Sequence, residues 1–250
     1  MSRGWLLRAV SLLVYSAVLI IAAWLLYYSV DSSYFSVRQI PVSGTRLVDP
    51  GQVQEATGVM GRNILLVRTG TVEQAVLKLT AVKQAKALVS LTGSVAVEVT
   101  ERAPFVQWQA PEGSFLVDSE GVVFSQQPPP SPVTVVRADG EPAMEVGSRV
   151  DPALLASVQA LQAALPARAG MQPSWFDYSS ANGISVLASQ GERIVFGDAN
   201  NLDSKLSALA AIRQYLVSTK SQAQLIDLRF KDRPVYVLAP PVPAKPSQAR

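Results

Sequence analysis

The sequence predicts an α+β protein: a single transmembrane helix, a small β-α-α-β-β domain, and a larger mixed antiparallel β-sheet domain with two long helices. Three observations carry this. Ala9 to Val30 is a run of 22 residues without a charge. The apolar periods that follow alternate between strand and helix spacing in the order strand, helix, helix, strand, strand. After Pro104 the pattern changes to short strands separated by turns and two long helical periods. The expected boundaries are a cytoplasmic tail over 1–8, the membrane helix over 9–30, the first domain over 34–102, the β-domain over 103–239 and a disordered tail over 240–250.

At 1.5 Å per residue the charge-free run makes a helix of about 33 Å, enough for one crossing of a bilayer. Trp5 and the pair Tyr27 and Tyr28 stand near its ends, where amphipathic rings favour the interface. Arg3 and Arg8 precede it and Asp31 follows, so the positive-inside rule leaves the N-terminus in the cytoplasm and sends the rest across. A cleaved signal peptide would have a shorter apolar region and a small-x-small site, and Val30-Asp31-Ser32 is a poor one.

Phe35, Val37, Ile40 and Val42 read as a first strand disturbed at Pro41 and ended by Gly44. Asp49-Pro50 is an N-cap with proline at the first helical position, and Gly58 supplies the stop, so a helix is expected over about 50–57. Thr71 and Gln74 have capping-box spacing ahead of a second short helix that carries Val72, Val76 and Leu79. The glycines between the helices, Gly58 and Gly61, are wrongly spaced for a phosphate loop and read as a turn. Strands are expected over about 83–91 and 94–101, where Val95, Val97 and Val99 mark the buried face.

In the second half, strands are expected at 105–108, 115–118, 122–124 and 133–137, with a turn at Ser119-Glu120-Gly121 and a proline-rich loop over 126–132. Asp151-Pro152 opens a helix whose Leu154, Leu155, Val158, Leu161 and Leu165 keep a helical period until Pro166. Three more strands fall at 175–178, 184–188 and 193–197. A second long helix is expected over 202–217, packed through Leu202, Leu206, Leu209 and Leu216. The last two strands are expected at 225–230 and 235–238. Proline, polar and small residues dominate beyond them.

Composition removes most chemistry. The chain has no cysteine and no histidine, which excludes disulfide frameworks, thiol nucleophiles, imidazole bases and ordinary zinc sites. Its 22 Lys and Arg residues leave a net charge of only +3 and form no basic block, so nucleic acid has no footprint. No cofactor, metal site or small-molecule substrate is expected. A hydrolase would need a Ser-Lys dyad or paired carboxylates, but Ser204 and Lys205 are adjacent on a helix, and Asp118 and Glu120 sit at a hairpin turn.

The ordered motifs carry a resemblance. Phe35-x-Val37-x-x-Ile40-x-Val42-x-Gly44, Gly61-x-Asn63-Ile64 and Val97-x-Val99-x-Glu101-Arg102-x-Pro104 resemble the POTRA module of the FtsQ/DivIB cell-division proteins. Phe115-Leu116-Val117-Asp118-x-x-Gly121-x-x-Phe124, Leu202-x-x-Lys205-Leu206 and Ile226-Asp227-Leu228-Arg229-Phe230 are similar to the β-domain of that family. The resemblance implies a non-enzymatic, single-pass scaffold at the division septum that links early and late components of the divisome. The implied partners are FtsB-like and FtsL-like single-pass coiled-coil proteins, with FtsK, FtsW and FtsI as further contacts. A transport or assembly factor of POTRA type is the alternative, but the second half shows no repeat of the first.

Two places stand out as candidate sites. Glu101, Arg102 and Pro104 lie where one domain gives way to the next and are expected to form an interdomain hinge. Pro234 cannot donate to a ladder, so Val235 to Leu238 should be an edge strand, and it is apolar on both faces. With Phe230, the residues Pro234, Val235, Tyr236, Val237 and Leu238 are expected to bind a partner. In the family the matching segment receives a strand from FtsB.

Overall fold

The computed structural model describes residues 3–31, 35–138, 141, 143–188, 191–230 and 233–239. The tail expected over 240–250, and the first two residues of the tail expected over 1–8, lie outside them. The chain divides into two compact units, Met1–Arg102 and Ala103–Arg250.

The first unit begins with α1, an unbroken helix over Arg3–Asp31. Its described side chains are those of residues 11–24 with Tyr27 and Tyr28. Among the described residues no helix is long and apolar enough to cross a membrane. The small domain follows: β1 (Val42–Ser43), α2 (Pro50–Thr57), α3 (Thr69–Val76), β2 (Val82–Ser90) and β3 (Ser94–Glu101). The sheet order is β1-β3-β2, with β1 parallel and β2 antiparallel to β3. Val53, Val72, Val76, Val95, Val97 and Val99 are all buried in its core.

Local chemistry sets each boundary. The Asp49 side chain accepts from the Gln52 amide and Gly58 closes α2 in the left-handed region, as N- and C-caps require. The first strand is much shorter than its apolar spacing predicts. Phe35 to Gln39 make only isolated bridges, Ser36 with Asn63 and Gln39 with Ser94. Pro41 accepts from the Val97 amide at 2.9 Å but has no N–H to return, so the ladder starts after it. Gly44 has φ +86° and a Cβ there would lie 2.0 Å from the Val99 carbonyl oxygen, so only glycine fits. α3 starts two residues ahead of Thr71, which does not cap it. The Arg68 carbonyl takes the Thr71 and Val72 amides instead.

The second unit is one nine-stranded mixed sheet. Its strands are β4 (Val106–Ala110), β5 (Gly113–Val117), β6 (Val123–Ser125), β7 (Thr134–Ala138), β8 (Pro173–Ser179), β9 (Gly183–Ala188), β10 (Arg193–Gly197), β11 (Ala223–Asp227) and β12 (Val235–Leu238). The order is β12-β11-β10-β9-β8-β7-β4-β5-β6. Three neighbouring pairs are parallel, β4/β7, β7/β8 and β10/β11, so the sheet is less antiparallel than expected. Two of those junctions enclose the helices α4 (Pro152–Ala164) and α5 (Leu202–Ser218), since a parallel neighbour needs a crossover.

Alternation along the strands builds the core against those helices. Val106, Trp108, Phe115, Val136, Phe176, Val186, Phe196 and Ile226 meet Leu155, Val158 and Leu161 of α4 and Leu206, Leu209 and Leu216 of α5 in one buried cluster. The opposite face is polar in its middle, where Arg137 lies 3.7 Å over the Trp175 ring and Arg193 pairs with Asp177. Pro166 ends the regular helix as expected. The chain then makes a π turn over Leu165–Ala169 before Gly170 closes it in the left-handed region.

Candidate partner-docking edge

β12 is the last strand of the sheet and pairs on one side only, antiparallel to β11, with Asp227 opposite Val235, Ile226 opposite Tyr236 and Leu225 opposite Val237. No strand flanks its other side among the described residues. Because Ile226 is fully buried against α5, Tyr236 shares the helix face, while Val235 and Val237 share the open face. All four residues are exposed: Val235 55%, Tyr236 37%, Val237 46% and Leu238 50%. A charge placed at Val237 would therefore face solvent and not the core.

Helix α5 extends this surface, which its helical period did not reveal. Tyr215 packs on Tyr236 with ring centroids 6.2 Å apart and planes at 53°, within the tilted range that aromatic pairs favour. Tyr215 is 53% and Val217 79% exposed. Among the described residues of the second unit, the exposed large apolar ones are Val146, Tyr215, Val217, Phe230, Val235, Tyr236, Val237 and Leu238. All but Val146 belong to the last turn of α5, to β12 or to the loop before it. The signal in the sequence was a tyrosine and a valine on either side of the packed Leu216.

Phe230 lies elsewhere than expected, because β11 stops at Asp227. The Asp227 carboxylate accepts from the Arg229 amide at 3.0 Å and binds the Arg229 guanidinium at 2.7 and 3.1 Å. A side chain that takes the amide two residues on makes a turn and competes with the ladder. Asp227 and Arg229 are thus closed on one another across the turn. The Arg229 hydrogen bond holds the Asp227 carboxyl below the usual range, and the same bond raises the guanidinium. Arg229 also donates to Asn182 Oδ1 at 2.7 Å. The turn leaves Phe230 61% exposed, with the Arg229 guanidinium 5.8 Å from its ring centre.

The other candidate residues have structural partners. Glu101 accepts from the backbone amides of Arg46, Leu47 and Val48 at 2.7 to 3.0 Å and so fastens the loop after β1 to β3. Arg102 donates from Nε to the Thr80 carbonyl at 3.1 Å and from its amide to Ala81. Pro104 follows in the second unit. Lys205 is buried, and its Nζ donates to the carbonyls of Phe196 and Asp198 and to Asp198 Oδ1. That bond is the main cause that lowers the Asp198 pKa. Asp118 accepts the amides of Glu120 and Val122 and forms the turn between β5 and β6.

Neither of the two larger open clefts described in the second unit is lined by a metal-ligating cluster. One, of about 570 Å³, lies beside Tyr178, Asn182, Asp198 and Lys205, where burial is the main cause that raises the Tyr178 hydroxyl. The other, of about 460 Å³, borders Gln222 and Ala223 at the start of β11 and holds the Arg213–Glu192 ion pair at 2.8 Å. Its Glu192 oxygen approaches Arg213 without the alignment of a hydrogen bond. No group of three or more acidic residues that could hold a metal occurs among the described residues.

Comparison with known proteins assigns both units. Residues 35–102 match the POTRA domain, FtsQ-type, and residues 106–229 match the cell division protein FtsQ/DivIB, C-terminal family. The chain is 30% identical over 217 residues to the cell division protein FtsQ of Chloroflexus aurantiacus, covering 85% of this chain and 77% of that one. It is 26% identical over 220 residues to FtsQ of Chloroflexus aggregans, with 87% and 79% covered. With FtsQ of Streptomyces bingchenggensis it shares 30% over 195 residues, 76% of this chain and 71% of the relative. This chain belongs to the FtsQ/DivIB family of cell division proteins.

Proposed function

We propose that the protein is a non-enzymatic, single-pass scaffold of the division septum whose β12 edge receives a strand from an FtsB-like partner. The observation that supports this most directly is the gathering of Tyr215, Val217, Phe230, Val235, Tyr236, Val237 and Leu238 at one open edge. Backbone pairing along such an edge gives register, and the exposed side chains beside it give anchors. An uncovered apolar edge is otherwise an aggregation hazard.

FtsL-like, FtsK, FtsW and FtsI partners extend the same reading from early to late division components. The helix over Arg3–Asp31, uncharged from Ala9 to Val30, supports a single crossing with the N-terminus inside and both modules outside. Glu101, Arg102 and Pro104 flank the boundary between the units and are assigned to a hinge. The test is binding of the full chain to an FtsB-like peptide, with backbone pairing read by hydrogen exchange at β12. Protection of β12 amides on binding is expected. Binding without such protection would place the partner elsewhere.

A further inference from the structure

We propose that the small domain rests one end on the lipid surface, through exposed leucines and arginines beside the point where the chain arrives from α1. The inference rests on the single-pass reading. Phe35 to Gln39 run between two other segments. On one side the Val37 amide donates to the Arg62 carbonyl at 2.8 Å and the Gly61 amide to the Val37 carbonyl at 2.9 Å. On the other side the Arg38 amide donates to Gly93 at 2.8 Å and Gln39 bridges Ser94.

Both neighbouring segments expose large apolar side chains. The 3-10 turn over Ile64–Leu66 buries Ile64 and is capped by Asn63, whose side chain accepts from the Leu65 amide. That geometry turns Leu65 and Leu66 outward, 49% and 65% exposed, beside Met60 at 54%. The hairpin between β2 and β3 exposes Leu88 at 70% and Leu91 at 68%. Elsewhere in the small domain the exposed large apolar residue is Leu77, at the end of α3.

Charge and reach choose the occupant. Residues 35–39, 58–68 and 88–95 contain Arg38, Arg62 and Arg68 and no aspartate or glutamate. Arg62 and Arg68 line one cleft of about 360 Å³ with Val59, Leu66, Val67 and Val72, so cationic and apolar groups share one surface. From Asp31 to Val37 six residues span at most about 20 Å. The patch is therefore tethered within reach of headgroups, and apolar side chains beside arginines suit the boundary between anionic headgroups and acyl chains.

The chain has no cysteine, so single cysteines can report depth in the full-length protein in vesicles of phosphatidylcholine with or without phosphatidylglycerol. Leu66→Cys, Leu77→Cys and Leu19→Cys each carry a polarity-sensitive dye, quenched by spin-labelled lipid or by aqueous iodide. The expected result is lipid quenching at position 19 in both vesicles, lipid quenching at 66 with phosphatidylglycerol, and iodide quenching at 77. Arg62→Gln with Arg68→Gln should reduce the docked population at 66 roughly thirtyfold, at about fivefold per arginine on an anionic surface. Iodide quenching at 66 equal to that at 77, with position 19 in lipid, would overturn the proposal and leave the patch to a protein. Equal lipid quenching at 66 with and without phosphatidylglycerol would overturn the role of the arginines. Failure of lipid quenching at 19 would remove the single-pass reading, and the proposal with it.

Discussion

β6 and β12 are the two edges of one sheet, and among the described residues only β6 is covered by its own chain. Val123 and Phe124 of β6 are 0% and 2% exposed. The segment before α4 returns to pair with that edge: Val123 donates to Ser148 at 3.0 Å, Gly147 to Val123 at 2.8 Å and Val150 to Gly121 at 2.8 Å. Gly121 permits the approach, since a Cβ on it would lie 2.1 Å from the Val150 carbonyl oxygen. At β12 all four residues are exposed. Edge strands are usually blunted by loops, charges or prolines, and here β12 has Pro234 at its start and apolar side chains along its length. One edge completes the fold, while the other stays open among the described residues.

The largest difference should appear when a carboxylate is placed on each edge. Val123→Asp puts an unpaired charge in the core and should cost about 4 kcal/mol or more, enough to abolish the cooperative melt of the second unit. Val237→Asp, on the open face, should shift stability by no more than about 0.5 kcal/mol. Calorimetry on the two proteins checks this, and similar losses at both positions would mean that β12 is also part of the core.

A binding measurement separates the edges in the other sense. Tyr236→Ala and Phe230→Ala should each weaken an FtsB-like partner by about 2 kcal/mol, roughly thirtyfold, if they are anchors. Gly121→Ala should leave affinity alone while lowering the melting temperature, because its strain and its clash with Val150 lie at the covered edge. Parent-like affinity for folded variants at Phe230, Tyr236 and Leu238 together would make the open edge merely structural.

The smallest expected effect is on pH dependence. Asp227 has a folded pKa below its unfolded value, near 3.9, because Arg229 stabilises the carboxylate. Its contribution is therefore fully present above about pH 4 and is lost as pH falls through the folded pKa. Arg229→Gln should flatten the acid limb of the stability curve and lower stability slightly at neutral pH, and should also loosen the turn that presents Phe230. Asp198, held down by Lys205, should still titrate in the variant. An unchanged acid limb in Arg229→Gln would show that the Asp227 turn adds nothing to it.

Elements whose limits are set by neighbours in sequence were legible. Asp49-Pro50 and Gly58 bound α2, and Asp151-Pro152 opens α4, because caps and prolines act on the next few amides. The edge position of β12 followed from Pro234 in the same way. The apolar spacing misled where a missing amide, a side-chain hydrogen bond or a ladder partner outweighed it. β1 loses most of its length because its ladder depends on β3 and on the missing Pro41 amide. β11 ends at Asp227, not Phe230, because a carboxylate takes the Arg229 amide before a strand can. Glu101, expected at the hinge, also binds three amides about fifty positions away in the chain, a contact that no local spacing reveals.

The sequence by itself determined that the chain has no imidazole or thiol chemistry, that a 22-residue run without a charge precedes the folded part, and that two modules follow in a recognisable order. Composition and periodicity are properties of single residues and their near neighbours, so they need no fold to be read. Tertiary structure alone decided that β6 is covered by residues 147–150, that Tyr215 joins Tyr236, and that Leu65 and Leu66 are exposed beside the incoming chain. Each of these depends on which distant segments share an edge or a face, and local propensity carries no information about that.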